Sequence, residues 1–280
     1  MDSNIVKNFI KSHKVLYNIA RKIKHYVFIL KLKFTGGLNI EATNNCAEIT
    51  LIRNRKHQRA FFYPYSSTKE IDKTQLWILN RGLLNHLFAK YSHPECSMNS
   101  GEIVVDCGGF IGGFSMAAAE NGAGRIVHIE PTPVTQRCAL LNFNLHKFTN
   151  IESHQVGLGE NNIISKFNLS RSFSDNSVLE PDSGGTGKVI EIELQSLDNL
   201  AKNLQLESNN TFLKIEAEGF EVEIVKGMNN FLPQKLVVDV TPERGGKSPK
   251  DEIASILQEK GYTNFYLTSQ CLFASRSLDK

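Results

Sequence analysis

Missing from this sequence is any Cys-x-x-Cys pair, and the five cysteines (Cys46, Cys96, Cys107, Cys138 and Cys271) form an odd, scattered set. That argues against a zinc ribbon and against a disulfide framework, and reduced thiols in a cytoplasmic protein are the simplest reading. Uncharged apolar runs of 18 or more residues are also missing, so no transmembrane helix is expected. Neither charge sign dominates. The net charge of +3 on 280 residues does not predict a nucleic-acid partner. No internal repeat is visible. What is present is the composition of a soluble globular chain, 41% hydrophobic and 22% charged. The length allows one large domain, or one domain with an extension.

The first 100 residues read as a mixed extension. Within residues 4–34, Ile5, Phe9, Leu16, Ile19, Ile23, Tyr26, Val27 and Leu30 recur at roughly helical spacing, with Lys and Arg crowding the other face. Two readings stay open: a helix packed on the domain with a solvated basic face, or an interfacial helix resting on anionic lipid. "VFIL" is short for a signal-peptide core, and no small-residue cleavage site follows it. "EITLI" and "RAFFYPY", joined by the polar "RNRKHQ", predict a hairpin within 38–65. Residues 68–91 predict one helix.

From residue 101 to 280 short apolar strands alternate with helices, the pattern of a doubly wound, mostly parallel α/β sheet. Thr132 and Pro133, and likewise Ser248 and Pro249, predict helix starts with a capping residue before proline. The final strands, "NFYLT" and "CLFAS", are too close in sequence for a parallel crossover and must pair antiparallel. Residues 170–187 read as one long loop.

The stretch "EIVVDCGGFIGGFS", Glu102 to Ser115, ends a strand on Asp106 and turns through glycines into a helix. Such a turn brings backbone close to a ligand beside a helix N-terminus. A nucleoside triphosphate would need a lysine where Phe114 stands. A nicotinamide cofactor would need glycine where Phe110 stands, and Asp106 would repel its pyrophosphate. S-adenosylmethionine instead carries an ammonium and a sulfonium. Asp106 can help to hold that cationic end, directly or through water. Gly108, Gly109 and Gly112 admit the ligand against backbone. Glu130, at the end of the next strand and followed by Pro131, is placed to serve ribose hydroxyls.

On these residues the chain resembles the FkbM-type methyltransferases. "DCGGFIGG" matches their D-V-G-A-N-x-G, Glu130-Pro131 their E-P, and "LLNFN" with Asn142 their L-x-x-N. "SLDNL" is similar to their L-D-x-L. "LKIEAEGFEVEIVKGM" matches their K-I-D-x-E-G-x-E at Lys214, Ile215, Glu218, Gly219 and Glu221, with Gly227 following. The likeness covers about residues 102–240. It departs at Phe110, where the family has asparagine, and at Glu216, where it has aspartate. The resemblance implies a class I, Rossmann-like methyltransferase domain on a seven-stranded sheet, S-adenosylmethionine as cofactor, and O-methylation of a sugar, glycan or related small molecule. An NAD-type oxidoreductase and a cofactor-binding scaffold without turnover are the alternatives.

Methyl transfer needs an aligned nucleophile and a base within reach of its proton. Glu216 and Glu218 are the candidate catalytic pair; two apart, they would share one face of an extended strand. They could act as base and hydrogen-bond acceptor or hold a divalent cation, and no metal set is assigned. Glu221 suits the first turn of the next helix. His128 and His154 are expected to pack inside the fold, and Cys107 to pack as a small hydrophobe. Asp239 ends a strand, facing an acceptor pocket or capping a loop. Arg171 and Asp175 lie on the long loop.

Overall fold

The computed structural model describes residues 38–42, 49–54, 56–65, 73–170, 172–181 and 184–277, with Ile23 and Val27 alone before them. The basic segment 4–34 thus lies almost wholly outside the described residues, as does Arg171.

Seven strands form the main sheet: β4 (Ile103–Cys107), β5 (Arg125–Ile129), β6 (Ile151–His154), β10 (Thr211–Ile215), β11 (Lys235–Asp239), β12 (Asn264–Leu267) and β13 (Cys271–Ser275). Their order is β12-β13-β11-β10-β4-β5-β6. The five strands from β11 to β6 pair in parallel, and β13 runs antiparallel to both β11 and β12. The chain winds outward in both directions from β4 and β10, so the adjacent C-terminal ends of these two strands mark the switch point. Open α/β sheets bind ligands at that position.

Both faces of the sheet are covered, which explains the unbroken apolar strands. On one face Val105, Val127, Leu213 and Leu236 pack with α5 (Leu197–Leu204), α6 (Glu221–Lys226) and α7 (Lys250–Glu259). On the other, Val104, Ile126, Phe212 and Val237 meet Phe114 and Ala118 of α3 (Gly113–Glu120). α4 (Pro133–Leu145) starts as expected, with Thr132 as N-cap and Pro133 first. α7 starts one residue later than expected. Pro249 takes the cap position itself, and the Ser248 hydroxyl accepts from Lys250 N–H at 3.4 Å.

The extension supplies a small antiparallel sheet: β1 (Leu38–Ala42), β2 (Thr50–Asn54) and β3 (Arg59–Tyr63). The helix expected over 68–91 is, among the described residues, two helices, α1 (Lys73–Arg81) and α2 (Leu83–Lys90). Gly82 separates them at φ +92°, a turn no helix interior accommodates. The extension does not stand apart. Ile52, Phe61, Leu79 and Leu83 share one buried cluster with Met116, Cys138 and Phe143 of the main domain. Asn142, the motif asparagine of α4, fastens it. Its Oδ1 accepts from Phe62 N–H at 2.7 Å, and its Nδ2 donates to the carbonyls of Phe62 (3.1 Å) and Ile111 (3.0 Å). One buried amide thus joins β3 to the glycine turn.

A second small sheet departs from the sequence expectation. The stretch "NIESHQVGLG" is not one strand of the main sheet: after β6 the chain forms the short β7 (Gly157–Leu158), which lies outside that sheet. β7 joins β8 (Ile163–Ser170) and β9 (Gly185–Gln195) in the order β7-β9-β8. The long loop is therefore shorter than expected: it joins two paired strands, and β9 begins at Gly185.

Candidate active site

A cavity of about 740 Å³ opens at the C-terminal ends of β4 and β10. Gly108, Gly109, Glu130, Pro131, Glu216 and Glu218 line it; Asp106 and Gly112 do not. α1 and α2 of the extension close one side through residues such as Trp77, Leu83, Leu87 and Lys90.

The glycine turn is shaped by the protein's own packing. A Cβ on Gly108 would overlap the Glu216 carbonyl, and one on Gly109 would overlap the His128 ring. Gly108 lets β4's exit press against the end of β10, and Gly109 lets it press against β5. Gly112 caps α3 from a left-handed conformation. Phe110 occupies that same region at φ +49°, where asparagine is far better tolerated than a bulky residue. Its ring sits edge-on to Tyr63 of β3, centroids 6.3 Å apart. The extension thus packs against the residue that departs from the motif.

Glu130 ties the turn to the next strand. Its Oε2 accepts from Phe110 N–H at 3.0 Å, and its Oε1 from Thr132 N–H (2.9 Å) and Thr135 Oγ1 (2.8 Å). It is 6% exposed, and burial raises its carboxyl above the usual range despite these donors. A desolvated carboxylate with a free lone pair on Oε2, on a cavity wall, suits a ligand hydroxyl.

Asp106 lies beneath the turn, fully buried. Ser115 Oγ donates to its Oδ2 at 2.7 Å, and Lys214 Nζ stands 3.0 Å from Oδ1. Lys214 also donates to the carbonyls of Cys107 (3.1 Å) and Gly108 (2.9 Å). The carboxylate expected at a ligand's cationic end is therefore engaged by an internal ammonium. Lys214, from the K-I motif, is the residue whose role the sequence pattern leaves unassigned.

Glu216 and Glu218 both reach the cavity, but not from one face of a strand. β10 ends at Ile215, and Glu218 takes φ +51° ahead of Gly219 at +92°. Ser177 Oγ holds this turn by donating to the Glu218 carbonyl at 2.8 Å. Glu221, the first residue of α6, accepts from Ala217 N–H (2.7 Å) and Gly219 N–H (3.3 Å), a capping role. Burial lifts Glu221 to about 7.

The two candidate carboxylates differ in charge state. Glu216 Oε1 pairs with Lys90 Nζ at 2.7 Å, and its Oε2 lies 3.4 Å from Lys214 Nζ. Burial would raise it, but these two ammonium groups hold it far below the usual carboxylate range. Such an anion is a weak base. Glu218 is pushed well above that range by burial and then by Glu243. Glu243 in turn is raised to about 8 by burial, against a hydrogen bond from Thr241, and then by Asp239. Like charges that crowd one site hold a proton between them.

Asp239 accepts from Thr241 N–H (2.8 Å) and pairs with Lys90 at 2.7 Å without lining the cavity. Asp175 does line it. His128 is fully buried, bonded to Ser153 Oγ at 2.9 Å and held by burial at about 4, so it packs as expected. Cys107 is buried in the core, its thiol pushed up to about 12 by burial. Among the described residues, no three His, Cys, Asp or Glu side chains form a group suited to a metal ion. Nor is any helix there long and apolar enough to cross a membrane.

The fold, a seven-stranded and mostly parallel sheet with one antiparallel strand between β11 and β12, is that of a class I methyltransferase. The sequence model described as the Methyltransferase FkbM domain matches residues 106–263, more than half of the chain, and the chain belongs to that family. It is 22% identical over 181 residues to "Methyltransferase 1" of Beauveria bassiana (strain ARSEF 2860), covering 57% of this chain and 71% of that one. Among solved structures, a putative transferase from Pyrococcus horikoshii aligns at 11% identity with a TM-score of 0.47, over 83% of this chain and 74% of that one. TYW2 from M. jannaschii, in complex with AdoMet, aligns at 13% identity and 0.43, over 83% and 87%.

Proposed function

We propose that this chain is an S-adenosylmethionine-dependent methyltransferase that methylates a hydroxyl of a sugar, glycan or related small molecule. The observation that carries the cofactor assignment is the Phe110 N–H to Glu130 bond, which sets a buried acid beside a glycine turn on one cavity wall. Glu130 would hold a ribose hydroxyl, Gly108 and Gly109 would lie against the ligand, and Pro131 would line the same wall. Asp106 supports the turn from below through Lys214 and Ser115. Bound S-adenosylmethionine supplies an electrophilic methyl carbon on a sulfonium. The sugar class of the acceptor rests on the motifs shared with the family.

The chain's own part is to align the acceptor, exclude water and take a proton. Held at Glu130 and the glycine turn, S-adenosylmethionine would supply its methyl group to the acceptor oxygen and depart as the thioether. The hydroxyl proton passes to Glu218. Glu243 keeps Glu218 basic enough for this, while Glu216 remains an anion fixed between lysines. Transfer of labelled methyl to a panel of glycans and small hydroxyl acceptors tests the reading; no product with any of them, under conditions where the cofactor binds, counts against it.

The raised pair predicts a pH profile. Proton acceptance needs the ionised form, so kcat should rise with pH above the ordinary carboxylate range, the direction in which burial and Glu243 push Glu218. Glu243→Gln removes the like charge, lowers the Glu218 carboxyl and should move the rise to lower pH. A profile flat from pH 6 to 9, or a rise shifted upward in Glu243→Gln, would contradict the assignment (roughly the span over which such a pair titrates).

The basic residues before position 35 rest, in this reading, peripherally on anionic lipid. The support is their spacing opposite an apolar stripe. Binding to anionic liposomes should weaken with salt and vanish on deletion of residues 1–34. Equal binding by the deletion variant would remove that role.

A further inference from the structure

The charges at the base of the cavity alternate across three strand ends. Asp239 of β11 pairs with Lys90, Lys90 with Glu216 beyond β10, Glu216 with Lys214 of β10, and Lys214 with Asp106 of β4. Three carboxylates thus share two ammonium groups, leaving one net negative charge. Glu216, Lys214 and Lys90 all line the cavity beside Gly108, whose carbonyl accepts from Lys214. Lys90 is the member that does not come from the methyltransferase domain. It sits at the end of α2 in the extension, outside the residues matched by the family, with its side chain only 15% exposed. The glutamate that replaces the family's aspartate makes the sharing workable. Its longer arm lets one oxygen meet Lys90 and the other face Lys214.

We propose that Lys90 is a positioning residue by which the extension sets the charge of the cavity floor, and so sets how strongly the site prefers the sulfonium cofactor over its thioether product. This rests on the cofactor assignment above. S-adenosylmethionine and S-adenosylhomocysteine differ by a methyl group and one positive charge. A net negative floor favours the first and speeds release of the second. Lys90 moderates that preference: without it the floor would hold the cofactor too selectively, and with a neutral residue at 216 it would not discriminate.

The test is the ratio of dissociation constants for the two ligands, measured by calorimetry on the full chain. Loss of a unit charge at this range should move it about tenfold, on the order expected for partly screened charges. Lys90→Met should shift the ratio toward S-adenosylmethionine, Glu216→Gln should shift it toward S-adenosylhomocysteine, and Lys90→Arg should leave it near that of the unsubstituted protein. A merely structural role would weaken both ligands alike and leave the ratio unmoved. A ratio unchanged in Glu216→Gln, or shifted in the same direction by Lys90→Met, overturns the proposal. If Lys90→Met does not fold, Lys90→Gln, which removes the same charge, takes its place with the same expected shift. If neither ligand binds the unsubstituted protein, the cofactor assignment fails instead, and the proposal falls with it.

Discussion

Glu130→Ala is expected to reduce S-adenosylmethionine affinity by about tenfold or more. One ligand hydroxyl on the carboxylate's remaining lone pair is worth about 1.5–3 kcal/mol, as a bond to a charged group. The substitution also strands Phe110 N–H and Thr132 N–H, which the carboxylate satisfies, while Thr135 Oγ1 keeps the Thr132 carbonyl at 2.9 Å. The turn that faces the ligand would therefore lose its anchor along with the ligand's partner. Glu130→Gln should fall in between, because its carbonyl oxygen still accepts while its amide opposes the donors. Calorimetry with circular dichroism as a fold control measures both. An affinity within threefold of the unsubstituted protein for Glu130→Ala would remove Glu130 from the site (a change of about 0.65 kcal/mol at most).

Lys214→Met should cost the largest stability of any single change at the site. The ammonium is 2% exposed, and it neutralises an Asp106 that has no exposure at all. Burial alone would lower the Lys214 pKa, yet Asp106 and then Glu216 raise it above its ordinary value. Removing one partner of such a pair leaves an uncompensated buried charge, at about 3–5 kcal/mol. For a domain of this size that corresponds to a melting temperature lower by about 10 °C. The Gly108 carbonyl would lose the Lys214 donor at the same time, while the Cys107 carbonyl would keep only Glu216 N–H. Adding Asp106→Asn should recover part of the loss, since the stranded carboxylate is then gone. Thermal unfolding of the two variants reads this directly. A Lys214→Met protein as stable as the unsubstituted one would contradict the buried pair, as would a double variant that loses the sum of the two single losses.

The main sheet was legible because its strands are buried on both faces and read as unbroken apolar runs, such as "IVVDC" and "KLVVD". The antiparallel end was legible from chain length alone. β8 was not. Its exposed Ile163, Ile164 and Lys166 give no clean alternation, and only Phe167 and Ser170 are buried. Gly82 was visible as a lone glycine in a helical pattern, a signal that could have split the helix.

At the site, Glu130 and the glycine turn followed from spacing, because both sit at strand ends that the sheet brings together. Asp106 followed only in position. Its partner Lys214 lies 108 residues away in sequence, so the buried ion pair exists only once β4 and β10 are neighbours. Lys90 carries no local signal at all, since a lysine at the end of a helix usually meets solvent. The roles of Glu216 and Glu218 depend on backbone the pattern does not encode. Extended geometry would have put them on one face, and the left-handed Glu218 puts one among lysines and the other beside Glu243.

Titration of the full chain with S-adenosylmethionine, and separately with NAD, tests the central claim most directly. The account predicts saturable binding of S-adenosylmethionine that S-adenosylhomocysteine competes away, with no heat from NAD. Saturable NAD binding together with no S-adenosylmethionine binding would contradict it.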